Sequence, residues 1–249
     1  MTDLWFDETG EGPPVVLLHE GVVDSRIWKP VLPLLAERHR VVRYDQRGFG
    51  RSPMPHGPYS VVDDLIAVLD ATGNERAALV GASRGGGIAL TAAVERPERI
   101  STLLLVGSNL PGHRFDVDWS PEQIARWEAA EEADDFDAMA ELDMEAWAPM
   151  GADDELRAMF AENAAGSNGE HATTDEPVAE RAAEISAPTL VVTGNRDVPG
   201  INEIGDILAR RIPGARLAVI EEADHMIPWR TPEELSHLIL AFLAQNLRS

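Results

Sequence analysis

Short apolar, β-branched runs alternate with helix-period patterns along most of the 249-residue chain. Strands are expected at residues 4–7, 14–18, 40–44, 77–81, 102–106, 189–193 and 216–220. The later runs are continuously apolar rather than alternating, as parallel strands covered on both faces require. Between them the spacing predicts helices over 26–37, 61–71, 85–94, 202–211 and 233–245. Ser60 with Asp63 three positions on, and Thr231 followed by Pro232 and Glu234, read as helix N-caps. Pro97 and Pro213 stop the helices before them. Strand–helix alternation of this kind specifies an α/β fold, a mostly parallel twisted sheet with right-handed crossovers and helices on both faces.

The alternation stops near residue 110 and resumes near 187. The intervening stretch is helix-like and rich in Ala, Met and Trp, with Trp119, Trp127 and Trp147 among its residues. It is too long for a connecting loop. Residues 111–186 are therefore expected to form a helical cap (lid) inserted into a core made of 1–110 and 187–249. Such a cap would lie over the carboxyl edge of the sheet, where open α/β sheets bind ligands.

Charge supports that division. Residues 111–180 hold 20 Asp and Glu against three Arg and no Lys, so 17 of the 22 net negative charges fall there. An acidic block of this sort reads first as a solvated outer face. A net charge of −22 speaks against nucleic acid or an anionic membrane surface as partner. No cysteine is present, so disulfides, thiolate metal sites and a cysteine nucleophile are excluded. The start of the chain lacks a basic segment followed by an apolar one, and no apolar run approaches bilayer length. The expectation is a cytoplasmic protein, monomer or homodimer, acting on a small molecule. The scattered histidines give no metal-ligand spacing, and Gly85-Gly86-Gly87 lacks dinucleotide-binding spacing, so neither a metal nor another cofactor is expected.

The central motif is Gly81-Ala82-Ser83-Arg84-Gly85. It follows the expected strand AALVG and opens the expected helix GGGIALTAAVE. A serine on a tight strand-to-helix turn projects its Oγ above the sheet and aims a helix N-terminus at any developing oxyanion. A serine hydroxyl is a weak nucleophile without a neighbouring base. Among the seven histidines, His225 lies on a loop between a late strand and the last helix, at the same sheet edge as Ser83. His19 ends a strand in the segment expected to supply oxyanion donors, while His39, His56, His113, His171 and His237 fall in other loops, the insertion or a helix. Asp197 lies just beyond the strand TLVVT, and the order Ser, Asp, His suits this topology. Asp224 adjoins His225 and is poorly placed to turn back onto its neighbour's ring, so it reads as a turn residue.

With these residues in place, the chain resembles the α/β-hydrolase superfamily over 13–110 and 187–249. The segment from Leu18 to Trp28, LHEGVVDSRIW, resembles the oxyanion loop of 3-oxoadipate enol-lactonases and related esterases. Tyr44 to Ser52, YDQRGFGRS, is similar to a loop shared by cap-bearing members. The resemblance implies an oxyanion hole from the backbone N–H groups of Gly21 and Arg84. Here Glu20 stands where relatives carry glycine, so the first donor is Gly21 or Glu20. An ionised Glu20 pointing inward would oppose an oxyanion, so it is expected to point away or be paired. Arg84 has two readings, a holder of a substrate carboxylate or the partner of Glu20 or a cap carboxylate. Glu20, Arg84 and Trp147 are the expected substrate-binding side chains. Trp119, Trp127, Met139, Met144 and Phe160 are expected beside Trp147 as the inner wall of the cap.

The activity implied is hydrolysis of a carboxylic ester or lactone through a Ser83 acyl-enzyme, with His225 as base and Asp197 orienting it. The same three residues could cleave a C–C bond in a β-ketone. A non-catalytic ligand-binding protein on the same fold is the alternative from another class.

Overall fold

The computed structural model describes residues 2–115, 117–167 and 173–246. Its seven strands are β1 (Phe6–Thr9), β2 (Pro14–Leu18), β3 (Arg40–Tyr44), β4 (Ala77–Ala82), β5 (Ile100–Val106), β6 (Thr189–Gly194) and β7 (Arg216–Ile220). They form one sheet in the order β1-β3-β2-β4-β5-β6-β7. Only the β1–β3 pair is antiparallel. The register sets Leu18 beside Gly81 and Ala82 beside Val106, which brings the ends of β2, β4 and β5 to one edge.

Helices α1 (Leu32–Ala36), α2 (Val61–Ala71), α3 (Arg84–Glu95), α7 (Pro199–Arg211), α8 (Ile227–Arg230) and α9 (Pro232–Asn246) surround the sheet. Between β5 and β6 lie α4 (Pro121–Glu132), α5 (Phe136–Trp147) and α6 (Asp154–Ser167). Side chains alternate across the strands. Leu79, Leu103 and Leu105 join one apolar cluster with α2, α3 and α7. Ala78, Val80, Leu104 and Val106 join the other, with α1 and α9. That second cluster also receives Met144, Met159 and Phe160 from the inserted helices, so α5 and α6 extend the core of this face.

Several details depart from the pattern reading, and the first strand, expected at 4–7, forms two residues later at Phe6–Thr9. β7 is the sheet edge, and Leu217 and Val219 remain exposed there despite the apolar run. The expected helix over 26–37 is split into a 3-10 turn (Ser25–Trp28) and the short α1, interrupted around Pro30 with Pro33 at the start of the second piece. Among the described residues no helix is long and apolar enough to cross a membrane.

Among the described residues, α6 and the turn before it are fastened to the core from two sides. On one side Asn163 of α6 donates to Asp24 Oδ2 at 3.0 Å and accepts from the Gly50 N–H at 2.8 Å. Arg26 chelates Asp24 and also reaches Glu162. Arg26 and Asn163 together hold the Asp24 carboxyl at about 2, outweighing the upward push of burial. The D-x-R pair of the loop 18–28 is thus a fastening between the loop after β2 and α6. On the other side Trp229 Nε1 donates to Asp153 at 3.0 Å, and the Met150 N–H donates to Asp224 at 3.2 Å.

Candidate active site

Ser83 sits between β4 and α3 with φ 49 and ψ −115, a backbone state that L-residues rarely adopt. The local packing explains the flanking glycines. A Cβ on Gly81 would lie 2.3 Å from the Gly85 carbonyl oxygen, and one on Gly85 would lie 2.3 Å from that of Leu18. Any side chain at either position would push apart the close crossing of β2, β4 and α3. The turn is pinned further by Ser83 N–H to Val106 O at 2.9 Å and Asn109 N–H to Ser83 O at 3.1 Å.

His225 and Asp197 come together at the same edge. The buried His225 Nδ1 donates to Asp197, with Oδ2 at 2.9 Å and Oδ1 at 3.0 Å. This leaves Nε2 as the free ring nitrogen of the neutral tautomer. The loops carrying the pair are cross-linked by Asn195 N–H to Ile220 O and Arg196 N–H to Ala223 O, each 3.0 Å. Gly107, in the left-handed region at φ 47, passes directly behind them. A Cβ there would stand 3.2 Å from Asp197 Oδ2 and 3.4 Å from His225 Nδ1. Because Ser83 is bonded to Val106, the residue before Gly107, the elbow and the Asp–His pair share one patch of sheet edge. Burial alone would lower the His225 pKa. Asp197, then Glu20 and Asp224, outweigh it and raise the value.

Asp224 does not touch its neighbour's ring. Its buried carboxylate accepts from Arg230 at 2.9 Å and from the N–H groups of Met226 and Met150, each at 3.2 Å. It is a fastening between the histidine loop, α8 and the inserted segment, more than the turn residue expected from sequence.

The loop after β2 is held by His19. Its Nδ1 donates to the Glu20 carbonyl at 2.6 Å, and its Nε2 accepts from the Gln46 N–H at 2.9 Å. Both contacts fix a neutral ring, and burial drives its pKa down against the pull of Asp45. Gly21 then packs on Arg84, a Cβ there being 3.2 Å from Arg84 Cδ. Among the described residues, neither the Gly21 nor the Arg84 N–H donates a hydrogen bond within the chain.

The expected pairing of Arg84 with Glu20 is not formed. Arg84 donates to Gln46 Oε1 and to the Tyr59 hydroxyl, each at 2.9 Å, and its guanidinium lies 5.7 Å from the Phe49 ring centre. All three partners are neutral. Arg84 borders a cavity of about 190 Å³ whose wall includes Ile88, Thr91, Asn109, Asp175 and Glu176. Asn109 Oδ1 is buried there without a hydrogen-bond partner. Glu20 is also fully buried, and neither carboxylate oxygen has a partner. Its electrostatic neighbours are His225 and Asp197, and Arg84 is not among them.

From the inserted helices, Trp147 lies over His225, with ring centres 4.7 Å apart, and Phe115 meets Trp147 edge-on. Trp119 and Trp127 pack on each other at 4.9 Å instead. Met139, Met144 and Phe160 are buried, and Asp134, Asp135 and Asp137 face solvent. His171 lies outside the described residues. Gln46, Tyr59, Gly107 and Asn109 were not singled out from sequence. Only the positive φ of Gly107 marks a local requirement, and it is invisible without the fold. Among the described residues no three His, Asp or Glu side chains gather as a metal site.

This fold and this elbow define a class. The chain belongs to the α/β-hydrolase fold family, whose model matches residues 13–232, and it is a hydrolase. It is 28% identical to a putative carbamate hydrolase RutD from Azorhizobium caulinodans, over 98% of this chain and 96% of that protein. It is 30% identical to rhodomycin D methylesterase DauP from Streptomyces sp. strain C5, over 96% and 94%. The crystal structure of the enol-lactonase from Burkholderia xenovorans LB400 superposes with a TM-score of 0.81 at 26% identity, covering 97% of this chain and 96% of that one.

Proposed function

We propose that the protein hydrolyses a carboxylic ester or lactone of small to medium size through an acyl-enzyme on Ser83. The observation that carries this reading is the buried Asp197–His225 pair beside the strained serine elbow. In the proposed cycle His225 Nε2 takes the Ser83 proton as Oγ attacks the carbonyl, and later returns it to the leaving alkoxide. Asp197 fixes the tautomer and stabilises the imidazolium. The undonated N–H groups of Gly21 and Arg84 receive the oxyanion. Trp147 covers the His225 ring and limits water at the acyl-enzyme. The esterase and lactonase named above support this chemistry by likeness.

Arg84 gives the substrate a charge preference in this reading. Among the described residues the hydrogen-bond partners of this guanidinium are neutral, and it stands next to Ser83 in sequence at the wall of a cavity that also carries Asp175 and Glu176; the free charge supports recognition of one substrate carboxylate.

The test is a panel of short acyl esters, lactones and β-diketones assayed on wild type and on Ser83→Ala. Ester or lactone turnover is expected, falling roughly 10⁴-fold or more in the variant. Turnover that survives Ser83→Ala sinks the mechanism, and turnover of the diketones alone assigns C–C cleavage to the same residues.

A further inference from the structure

Three carboxylates influence His225, and they are held in three different ways. Asp197 is hydrogen-bonded to the ring. Asp224 is neutralised by Arg230 and tied to two backbone N–H groups. Glu20 is fully buried, its two oxygens have no hydrogen-bond partner, and Arg84, the cation expected beside it, is engaged by Gln46 and Tyr59. His19, the adjacent titratable side chain, is fixed as a neutral ring. Among the described residues, and apart from its own backbone N–H, the charge that acts on Glu20 in the compensating sense is the one that appears when His225 is protonated.

We infer that Glu20 is a positioning residue that stabilises the His225 imidazolium electrostatically, so that its carboxylate finds its counter-charge only when His225 carries a proton. This inference rests on the role proposed above for His225. An interaction that is stronger in the transition state than in the resting enzyme raises kcat, whereas one present throughout does not. Glu20 meets that condition in the form of the enzyme whose His225 is neutral and can act as base, because that ring offers the carboxylate no charge. Burial pushes the Glu20 carboxyl up to about 7, against its own backbone N–H and then the charge of His225, which pull it down. The two groups therefore titrate as a linked pair, and ionised Glu20 makes the imidazole the stronger base.

Glu20→Gln keeps the shape and removes the charge. ¹⁵N-histidine NMR titration of the free protein, with His225→Gln to assign the resonance, reads the effect without any substrate. The His225 titration is expected to move to lower pH in Glu20→Gln. In kcat/KM profiles on whichever ester or lactone is turned over, the acid limb should move the same way. The alkaline plateau should fall roughly ten- to thirtyfold, the size of a charge pair several ångströms apart at an effective dielectric near 20. Glu20→Ala is read identically should the glutamine variant fail to fold. A His225 titration that does not move, or a plateau that rises because relief of oxyanion repulsion dominates, overturns the inference. Turnover that survives Ser83→Ala is a different failure, because it removes the acyl-enzyme while leaving the NMR result standing.

Discussion

The two sides of Ser83 are built by opposite rules. On the histidine side the Asp197–His225 pair is closed in: both residues are buried, their loops are cross-linked, Gly107 leaves no space behind them and Trp147 lies on the ring, with the unpaired Glu20 carboxyl as the one open valence among the described neighbours. On the arginine side, among the described residues, a cation is hydrogen-bonded to neutral groups alone at the wall of a cavity that also holds Asp175 and Glu176, with a buried Asn109 oxygen left unbonded. A catalytic base needs one orientation and one tautomer, and dense hydrogen bonding supplies both. Recognition needs unspent hydrogen-bonding capacity, because a group already paired has little to gain from a ligand. The contrast assigns reaction to one side and selection to the other in the mechanism proposed above.

The largest blow to the closed side is Asp197→Asn. An amide there leaves the imidazole in the wrong tautomer, and kcat should fall roughly 10³- to 10⁴-fold with KM little changed. Steady-state kinetics reads this directly. Asp224→Asn is the control: it unpairs Arg230 in a half-buried site, so denaturant midpoints should fall while the surviving folded enzyme keeps most of its rate. A silent Asp197→Asn beside a catalytically dead Asp224→Asn would exchange their roles.

A second effect is thermodynamic. The folded state holds the Glu20 proton more tightly than the unfolded chain, where the carboxyl titrates near its ordinary 4.5. The protein therefore loses stability as pH rises through the window from about 4.5 to about 7. Below that window Glu20 is neutral in both states and costs nothing extra. Glu20→Gln should accordingly stabilise the protein on the order of 3 kcal/mol at pH 8 and far less at pH 4. Denaturant unfolding at the two pH values checks it, and an equal gain at both would remove the charge from the explanation.

The open side is probed by a matched pair of esters, one ending in a carboxylate and one in its neutral amide. Wild type should prefer the anionic ester by roughly 10- to 150-fold in kcat/KM, and Arg84→Met should abolish the preference. Equal rates in wild type would show that the acidic surroundings cancel Arg84, and would leave the cavity without a charge role.

Much of the closed side was legible in the sequence because its requirements are local. A serine between two glycines, directly after an apolar strand and before a helix, leaves few alternatives, and the glycine contacts at 2.3 Å show why. The strands 14–18, 40–44 and 216–220 were readable to the residue, since runs of Val, Ile and Leu end abruptly at polar or glycine neighbours. Exposure was not: nothing in RLAVI says that it forms the sheet edge, because burial depends on the strand beside it. The inserted helices were harder. Trp147 over His225 and the Trp119–Trp127 pair look alike in sequence, since all three are tryptophans on acidic amphipathic segments. The Glu20–Arg84 pair was one natural reading of opposite charges on neighbouring loops, and it fails because Arg84 is engaged by Gln46 and Tyr59 while Glu20 has His225 and Asp197 as its electrostatic neighbours. Gln46 lay inside the motif YDQRGFGRS without a role its neighbours disclose, and Tyr59 and Asn109 carried no local signal, since Arg84, which Gln46 and Tyr59 hold, lies 38 and 25 positions from them.

The backbone at Ser83 has an evolutionary corollary. At φ 49 and ψ −115 a glycine would sit without strain, whereas any side chain there costs of order 1–3 kcal/mol. Random mutation screened only for folding or heat resistance should therefore enrich Ser83→Gly, and by the mechanism proposed above the sturdier proteins it yields would be hydrolytically dead. A selection for expression and a selection for turnover pull this codon in opposite directions. Laboratory evolution of the protein needs an activity gate at every round to keep its serine.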